Sequence, residues 1–239
     1  MEDKRKIKFE VLDFLPGDMN YFKKKAIGIA KFVSKEPKLI QVLSEFLLLF
    51  IDKIDFDTRF KKWKKELKLI EEYYDKANLD KLVEQLYEAF SKTSDIHIDK
   101  LRGLIFEYLI ENHYKTIYSL FSHGCKVTID GIVIEYICSE DIEKNRNTVD
   151  VAGYSVEKSE FYEVKVGPDG FKDNVIKYLN LLNKIANEKN ISKEIMVGCM
   201  TLETKEKLNI KLKGLKEDCS QLKIYGRNEL INIFQSNAI

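Results

Sequence analysis

The stretch Thr148–Lys165, TVDVAGYSVEKSEFYEVK, restricts the possible folds of this chain more than any other segment. β-Branched and aromatic residues recur through it, and such residues favour pleated strands. A two-residue loop at Glu157-Lys158 would reverse the chain and pair Asp150 with Lys165. Because side chains alternate between the two faces of a strand, Asp150, Glu163 and Lys165 would then share one face. The sequence therefore predicts a β-hairpin with two carboxylates and a lysine on the same side.

Two carboxylates beside a lysine are suited to a hard divalent cation. Mg²⁺ prefers oxygen ligands, usually one or two carboxylates together with waters. Such an ion lowers the pKa of bound water and stabilises negative charge developing on a phosphate. The alternative is a solvated ion pair on an edge strand, because Glu-x-Lys occurs five times in a chain that is 33% charged. Only Glu163/Lys165 lies in an apolar, β-branched run, where unpaired charges would be costly.

The elements around the hairpin follow a particular order. A helical pattern that contains Arg102–Leu109, RGLIFEYL, precedes it, and a second helix and the apolar strand Ile195–Met200 follow it. In this order, and in Glu107, Asp150 and Glu163-Val164-Lys165, the sequence resembles the PD-(D/E)xK nuclease superfamily, the restriction-endonuclease-like fold. The resemblance covers about residues 97 to 201. The chain has valine immediately before Asp150, where the family motif has proline.

This resemblance implies an α/β protein whose restriction-endonuclease-like core is a central mixed sheet flanked by helices. It further implies a Mg²⁺-dependent endonuclease that hydrolyses phosphodiester bonds of DNA, with a metal-activated water as the nucleophile. Asp150, Glu163, the backbone carbonyl of Val164 and Glu107 would bind the metal, and Mn²⁺ would substitute for Mg²⁺. Asp150, Glu163 and Glu107 are thus the predicted catalytic carboxylates, and Lys165 would orient the water.

Several alternatives to this interpretation are open. Glu111 is the alternative to Glu107 if the phase of the helix differs. A restriction endonuclease is the leading subtype, but the superfamily also contains repair nucleases, junction resolvases and defence effectors, and RNA is a possible substrate. A different class of function is a non-catalytic nucleic-acid-binding or assembly protein on a nuclease-like fold. A third interpretation is a helical interaction protein whose hairpin charges are incidental.

An all-helical N-terminal region, residues 1–95, is predicted to precede the nuclease core, residues 96–239. The region would bind DNA or mediate formation of a homodimer. Its clearest helical pattern runs from 57 to 75, where Trp63 lies on the apolar stripe and is therefore expected in the core rather than stacked on a base. The opposite face carries exposed basic residues that are predicted to contact backbone phosphates. These residues are Lys61, Lys62, Lys64, Lys65 and Lys68.

Local patterns also predict individual elements of the core. The residues around Ile7 alternate and indicate a short strand or an ordered arm. The dipeptide Asp130-Gly131 is typical of a type I′ hairpin. It is expected to lie between a long helix near 96–121 and a first core strand at 132–138.

Composition excludes several other classes of protein. The chain of 239 residues is 44% hydrophobic and has a formal net charge of +1, so any DNA-binding surface must come from local clustering of charge. The four cysteines show no C-x-x-C spacing, and the three histidines show no metal-ligand spacing. Reduced thiols and no visible secretory signal indicate a cytoplasmic protein. The apolar segment Leu39–Ile51 is short and interrupted by polar residues, which favours a core helix over a membrane span.

Overall fold

The computed structural model describes residues 7–11 and 20–236. Its helices are α1 (Asn20–Val33), α2 (Leu39–Leu49), α3 (Phe56–Leu67), α4 (Lys76–Ser91), α5 (Ile98–Tyr114), α6 (Asp173–Glu188), α7 (Lys205–Lys213) and α8 (Arg227–Ser236). Its strands are β1 (Ile7–Val11), β2 (Leu120–Ile129), β3 (Ile132–Val133), β4 (Val149–Tyr154), β5 (Lys158–Lys165), β6 (Glu194–Thr201) and β7 (Lys223–Tyr225).

The chain divides into two compact units, and neither is continuous in sequence. The sheet unit consists of Met1–Phe14 and His113–Gly226, and the helical unit consists of Leu15–Asn112 and Arg227–Ile239. This division differs from a boundary at residue 95, because most of α5 belongs to the helical unit. Arg102 on α5 anchors it there by donating a hydrogen bond from Nε to the carbonyl oxygen of Leu47, at 2.7 Å.

The helical unit is organised around a cluster of buried aromatic rings. α2 is almost entirely apolar. The ring centroids of its Phe46 and of Trp63 on α3 are 5.0 Å apart, in an edge-to-face contact. Trp63 is 4% exposed, so its expected place in the core is confirmed. The helix ends at Leu67, earlier than the predicted 75, and a 3₁₀ turn at Glu71–Tyr73 follows.

The sheet unit contains a mixed sheet with the strand order β1-β2-β4-β5-β6-β7 and with β3 attached to β2. The pairs from β1 to β5 are antiparallel, whereas β5/β6 and β6/β7 are parallel. The predicted α/β class with a mixed sheet and flanking helices is therefore confirmed. The N-terminal region is not all-helical, because β1 pairs with β2 along its whole length, from Ile7 opposite Ile129 to Val11 opposite Cys125.

The prediction for the first long strand was wrong, although the turn was right. Asp130 and Gly131 both have positive φ, 51° and 82°, as a type I′ turn requires. The long strand is β2, which precedes this turn. The strand after the turn, β3, contains only two residues, and both are exposed. α5 accordingly ends at Tyr114 and not at 121. Polar residues within β2, including His123 and Lys126, interrupt the apolar pattern that would have indicated a long strand.

The core of the sheet unit lies between the central strands and α6. Phe161 of β5 and Val197 of β6 pack in one cluster with Val175, Leu179 and Leu182 of α6. α6 connects the parallel strands β5 and β6, and parallel neighbours require such a crossover. The hairpin β4–β5 is thus held at the centre of the sheet, with a paired strand on each side.

Two simpler expectations can be checked on the same structure. All four cysteines are free thiols, and Cys125 and Cys199 are buried. Among the helices of residues 20–236, none is long and apolar enough to cross a membrane.

Candidate active site on the β4–β5 hairpin

The register of the hairpin differs from the predicted one. Ser155–Glu157 forms a three-residue loop, and Val151 lies opposite Tyr162. Continuing this register by one residue places Asp150 opposite Glu163 rather than opposite Lys165. The reason is local: the Ser155 hydroxyl accepts a hydrogen bond from the Lys158 backbone N–H at 3.1 Å, which closes the turn and leaves Lys158 inside β5.

Asp150, Glu163 and Lys165 nevertheless come together, as the hairpin argument expected. Lys165 Nζ lies 2.7 Å from Asp150 Oδ2 and 2.6 Å from Glu163 Oε1, so one ammonium group bridges both carboxylates. The Val164 backbone N–H donates a hydrogen bond to Asp150 Oδ2 at 2.9 Å. The strands therefore fix the Asp150 carboxylate from the backbone as well as from the lysine.

Arg146 is a fourth charged member of this site, and the sequence interpretation missed it. Its Nη2 donates a short hydrogen bond to Glu163 Oε1 and lies 3.9 Å from Asp150 Oδ1. Its backbone is held by paired hydrogen bonds with Tyr136, at 2.7 and 2.9 Å. The signal in the sequence is an arginine four residues before Asp150, within the polar stretch 139–147.

Burial of the four side chains increases sharply toward Glu163. The Glu163 side chain is fully buried, whereas Asp150, Arg146 and Lys165 are 16%, 24% and 27% exposed. Glu163 Oε1 contacts both cations, but Glu163 Oε2 is buried without a hydrogen-bond partner among the described residues. An ionised oxygen without a partner is costly in the protein interior, and this oxygen is free to accept one more ligand.

The pKa values of the two central residues are shifted by these surroundings. Burial opposes the charge of Lys165, but the Glu163 and Asp150 carboxylates outweigh it and raise the pKa of Lys165 above its usual range. Burial, and then the negative charge of Asp150, raise the pKa of Glu163, and the two neighbouring cations oppose this shift. Lys165 is therefore a permanent cation at neutral pH, suited to orienting a water or a phosphate and not to accepting a proton.

The remaining predicted residues lie in the helical unit. Glu107 is half-buried on α5, and its Oε1 lies over Gly103, 3.6 Å from where a Cβ of that residue would stand. Its part in the metal site, and that of Glu111, stay predictions. The predicted phosphate-binding lysines are all exposed: Lys61, Lys62, Lys64 and Lys65 on α3, and Lys68 directly after the helix. Arg59 on the same helix has a structural role instead, since it pairs with Asp52 at 2.6 Å.

The donor set suits a magnesium ion better than a transition metal. Among the described residues, no group of three or more His, Cys, Asp and Glu side chains converges as a ready metal site. Mg²⁺ is commonly held by one or two carboxylates and several waters. Asp150 and Glu163 supply two carboxylates, and Glu163 Oε2 supplies an oxygen that lacks a partner. The residues present therefore fit a magnesium ion.

Comparison with known proteins adds little to this description. No protein-family model matches the chain, and no curated protein matches it. The chain is similar to the crystal structure of protein VC1899 from Vibrio cholerae, with 13% sequence identity and a TM-score of 0.44. That similarity covers 98% of this chain and 58% of the Vibrio chain, so this chain spans less than two thirds of that protein. A similarity at this level carries no argument about fold or function.

Proposed function

We propose that this protein is a Mg²⁺-dependent endonuclease of the PD-(D/E)xK type that hydrolyses phosphodiester bonds of DNA. One observation carries the proposal: Asp150 and Glu163 converge on Lys165 Nζ at the centre of the sheet, at 2.7 and 2.6 Å. A surface ion pair would not need a fully buried carboxylate with a second oxygen left without a partner. The unpartnered Glu163 oxygen is electrostatically unfavourable in the protein interior, and a bound cation would stabilise it.

Each residue then has a definite task. Asp150 and Glu163 would bind the metal, and the backbone carbonyl of Val164 and the Glu107 carboxylate are the further proposed ligands. When bound, the ion supplies Lewis-acid chemistry, which lowers the pKa of water and stabilises charge on the phosphate. Lys165, which remains protonated, orients the attacking water and neutralises charge on the phosphate oxygens. The Val164 N–H keeps Asp150 in place throughout.

The basic face of α3 supports a nucleic-acid substrate. Within the described residues, Lys61, Lys64, Lys65 and Lys68 make no ion pair, and Lys62 only approaches Glu66 at 4.0 Å. Lysines that are not neutralised by acidic neighbours can pair with phosphates and release counterions, which does not depend on base sequence. We assign this face to backbone contacts with DNA, and we assign dimer formation to the same helical region.

A second candidate function rests on Arg146. Arg146 and Lys165 together balance the two carboxylates, so the cluster is electrically neutral without any metal. A structural cluster of this kind would suit a non-catalytic nucleic-acid-binding or assembly protein on a nuclease-like fold. That protein would keep the exposed α3 lysines and would not bind a divalent ion at Asp150 and Glu163.

The deciding experiment is cleavage of plasmid, single-stranded and branched DNA, and of RNA, with Mg²⁺ or Mn²⁺. Wild type is compared with Asp150→Ala and Lys165→Ala, and Lys193→Ala serves as the matched control because both side chains of its ion pair with Glu157 are exposed. Metal-dependent cleavage lost in the two site variants and retained in the control supports the proposal. Cleavage that persists in both site variants removes the catalytic assignment.

The phosphate-binding face is tested separately by DNA affinity. Changing Lys62, Lys65 and Lys68 to Glu should weaken binding and reduce its dependence on salt, because each lost phosphate contact lowers the slope by about one unit. Charge reversal at Lys76 and Lys100, exposed lysines of the same unit, is the control. Equal affinity of wild type and the α3 variant would place the DNA-binding surface elsewhere.

A further inference from the structure

The Arg146 guanidinium lies at the point where a cation shared by Asp150 and Glu163 would bind. Its Nη2 contacts Glu163 Oε1 and is 3.9 Å from Asp150 Oδ1. Lys165 occupies the other side of the same two carboxylates, through Asp150 Oδ2 and Glu163 Oε1. Each Asp150 oxygen thus lies near a different cation, while Glu163 Oε1 contacts both cations. A divalent ion held by Glu163 and by Asp150 Oδ1, the Asp150 oxygen that Lys165 does not contact, would therefore compete with Arg146 for the two carboxylates.

Charge balance makes simultaneous occupation unfavourable. Two carboxylates and two cations cancel in a site where Glu163 is fully buried. A divalent ion added to this set would leave a net charge of about +2 where Glu163 is fully buried and the other three side chains are only partly exposed, and poorly solvated charge is expensive. Either one protein cation must leave the carboxylates or an anion must enter together with the metal.

Arg146 is better placed to leave than Lys165. Lys165 contacts both carboxylates from β5, in the centre of the sheet, at distances below 3 Å. Arg146 follows the exposed loop segment 139–145. Apart from the carboxylates, its guanidinium makes one hydrogen bond to the residues that the structure describes, from Nε to the Thr148 carbonyl at 3.2 Å. Because the Tyr136 hydrogen bonds hold the Arg146 backbone, the guanidinium can move without displacing the strand.

We propose that Arg146 occupies the metal position in the metal-free protein and is displaced from Glu163 when a divalent ion binds, after which its guanidinium pairs with the substrate phosphate. This inference rests on the proposed metal-dependent function. A guanidinium pairs well with phosphate because its planar array of donors matches two phosphate oxygens. Arg146 is then a competitor of the metal in the free protein and a partner of the substrate in the complex, which couples metal binding to phosphate binding.

The test measures Mn²⁺ affinity without nucleic acid, by calorimetry and by the paramagnetic signal of free Mn²⁺. Arg146→Gln removes the competing charge and should bind Mn²⁺ at least about tenfold more tightly than wild type, since unit charges about 4 Å apart interact by several kcal/mol near a protein surface. Lys144→Gln is the matched control. It removes one positive charge from the same loop, where Lys144 pairs with Asp141 at 3.1 Å. Its affinity should stay within about twofold of wild type.

The possible results separate this inference from the proposed function. Tighter Mn²⁺ binding in Arg146→Gln alone supports the competition. Equal or weaker binding in that variant, with measurable binding in wild type, overturns the role of Arg146 and leaves the metal site intact. Binding in neither protein overturns both. An equal increase in the Mn²⁺ affinity of Lys144→Gln would show that the loss of any nearby positive charge has the same effect. That result would also overturn the specific displacement of Arg146.

A measurement on the wild-type protein covers the case in which Arg146→Gln does not fold. The Nε–H resonance of Arg146, assigned with the charge-retaining variant Arg146→Lys, should shift in proportion to metal occupancy as Mg²⁺ is added. The same resonance should shift again when dimethyl phosphate, a minimal phosphodiester, is added to the Mg²⁺-loaded protein. A resonance that does not respond to saturating Mg²⁺ shows that the guanidinium stays on Glu163, and it overturns the proposal.

Discussion

Replacing Lys165 by Met tests how far the buried Glu163 depends on its counter-charges. The change keeps the length of the side chain and removes the ammonium that lies 2.6 Å from Glu163 Oε1. Removing one partner of a buried ion pair costs about 3–5 kcal/mol, because the other charge stays in the interior. Lys165 is 27% exposed and Arg146 remains bound to Glu163, so we expect the lower end, about 3 kcal/mol at pH 7.5.

The pH dependence of this loss identifies its cause. Removal of Lys165 raises the pKa of Glu163 further, so the folded variant takes up a proton that the unfolded chain does not hold. A folded state that binds more protons gains stability as the pH falls. The loss relative to wild type should therefore shrink from neutral pH downward through the raised pKa of Glu163, and a protonated Glu163 needs no counter-charge.

The assay is urea denaturation of both proteins at several pH values, monitored by near-ultraviolet circular dichroism. Lys193→Met is the matched control, since Lys193 pairs with Glu157 at 2.8 Å and the two side chains are 72% and 70% exposed. Exposed pairs contribute little, so this change should leave the free energy of unfolding almost unchanged at every pH. If Lys165→Met loses no more than the control, or loses the same amount at every pH, then Glu163 does not depend on Lys165 for its charge.

Three further changes test other parts of the structure. The Tyr178 hydroxyl is buried without a hydrogen-bond partner among the described residues, so Tyr178→Phe should leave stability unchanged or raise it by about 1 kcal/mol in urea denaturation; a clear loss would indicate a partner. Burial lowers the pKa of His113 to about 4. As the pH drops from about 6.5 to about 4, the unfolded chain binds a proton that the folded protein does not, so the free energy of unfolding should fall. An NMR titration of the ring with a midpoint near pH 6.5 would contradict this. A Cβ at Gly198 would lie 2.0 Å from the Lys223 carbonyl oxygen, so Gly198→Ala should lower the free energy of unfolding by about 3 kcal/mol. Gly28 has open space around it, so Gly28→Ala should not destabilise the protein. Equal denaturation midpoints of the two variants would show that β7 moves to accommodate the methyl group.

The sequence predicted the strands that carry the site more accurately than the register between them. The β-branched run and the spacing of Glu163 and Lys165 were sufficient to predict a hairpin with its charges on one side. The register was wrong by two residues, because loop length depends on the hydrogen bonds between Ser155 and Lys158, and periodicity does not contain that information. The charges still meet, since a shift of two residues keeps each side chain on its original face.

Long-range pairing explains the other differences. Arg146 joins the site because its backbone pairs with Tyr136, which is ten residues earlier and has no pattern in common with it. The long strand was predicted after the Asp130-Gly131 turn and not before it, because polar residues interrupt β2 and its pairing with β1 is not visible in the sequence. The boundary was predicted at residue 95 because a polar stretch there can cap the following helix, whereas the packing of Arg102 on Leu47 is visible only in three dimensions.

The sheet unit is formed by two separate segments of the chain, and β1 lies in the first of them. A fragment that consists of residues 113–226 alone would therefore lose β1 and expose the edge of β2 from Cys125 to Ile129. Unpaired edges of this kind invite pairing with other chains and aggregation. A minimal fragment of the sheet unit would have to carry Ile7–Val11 as well, for instance joined by a linker to the start of the second segment. Dissection of this protein into separately expressed parts thus has to follow strand pairing and not sequence order.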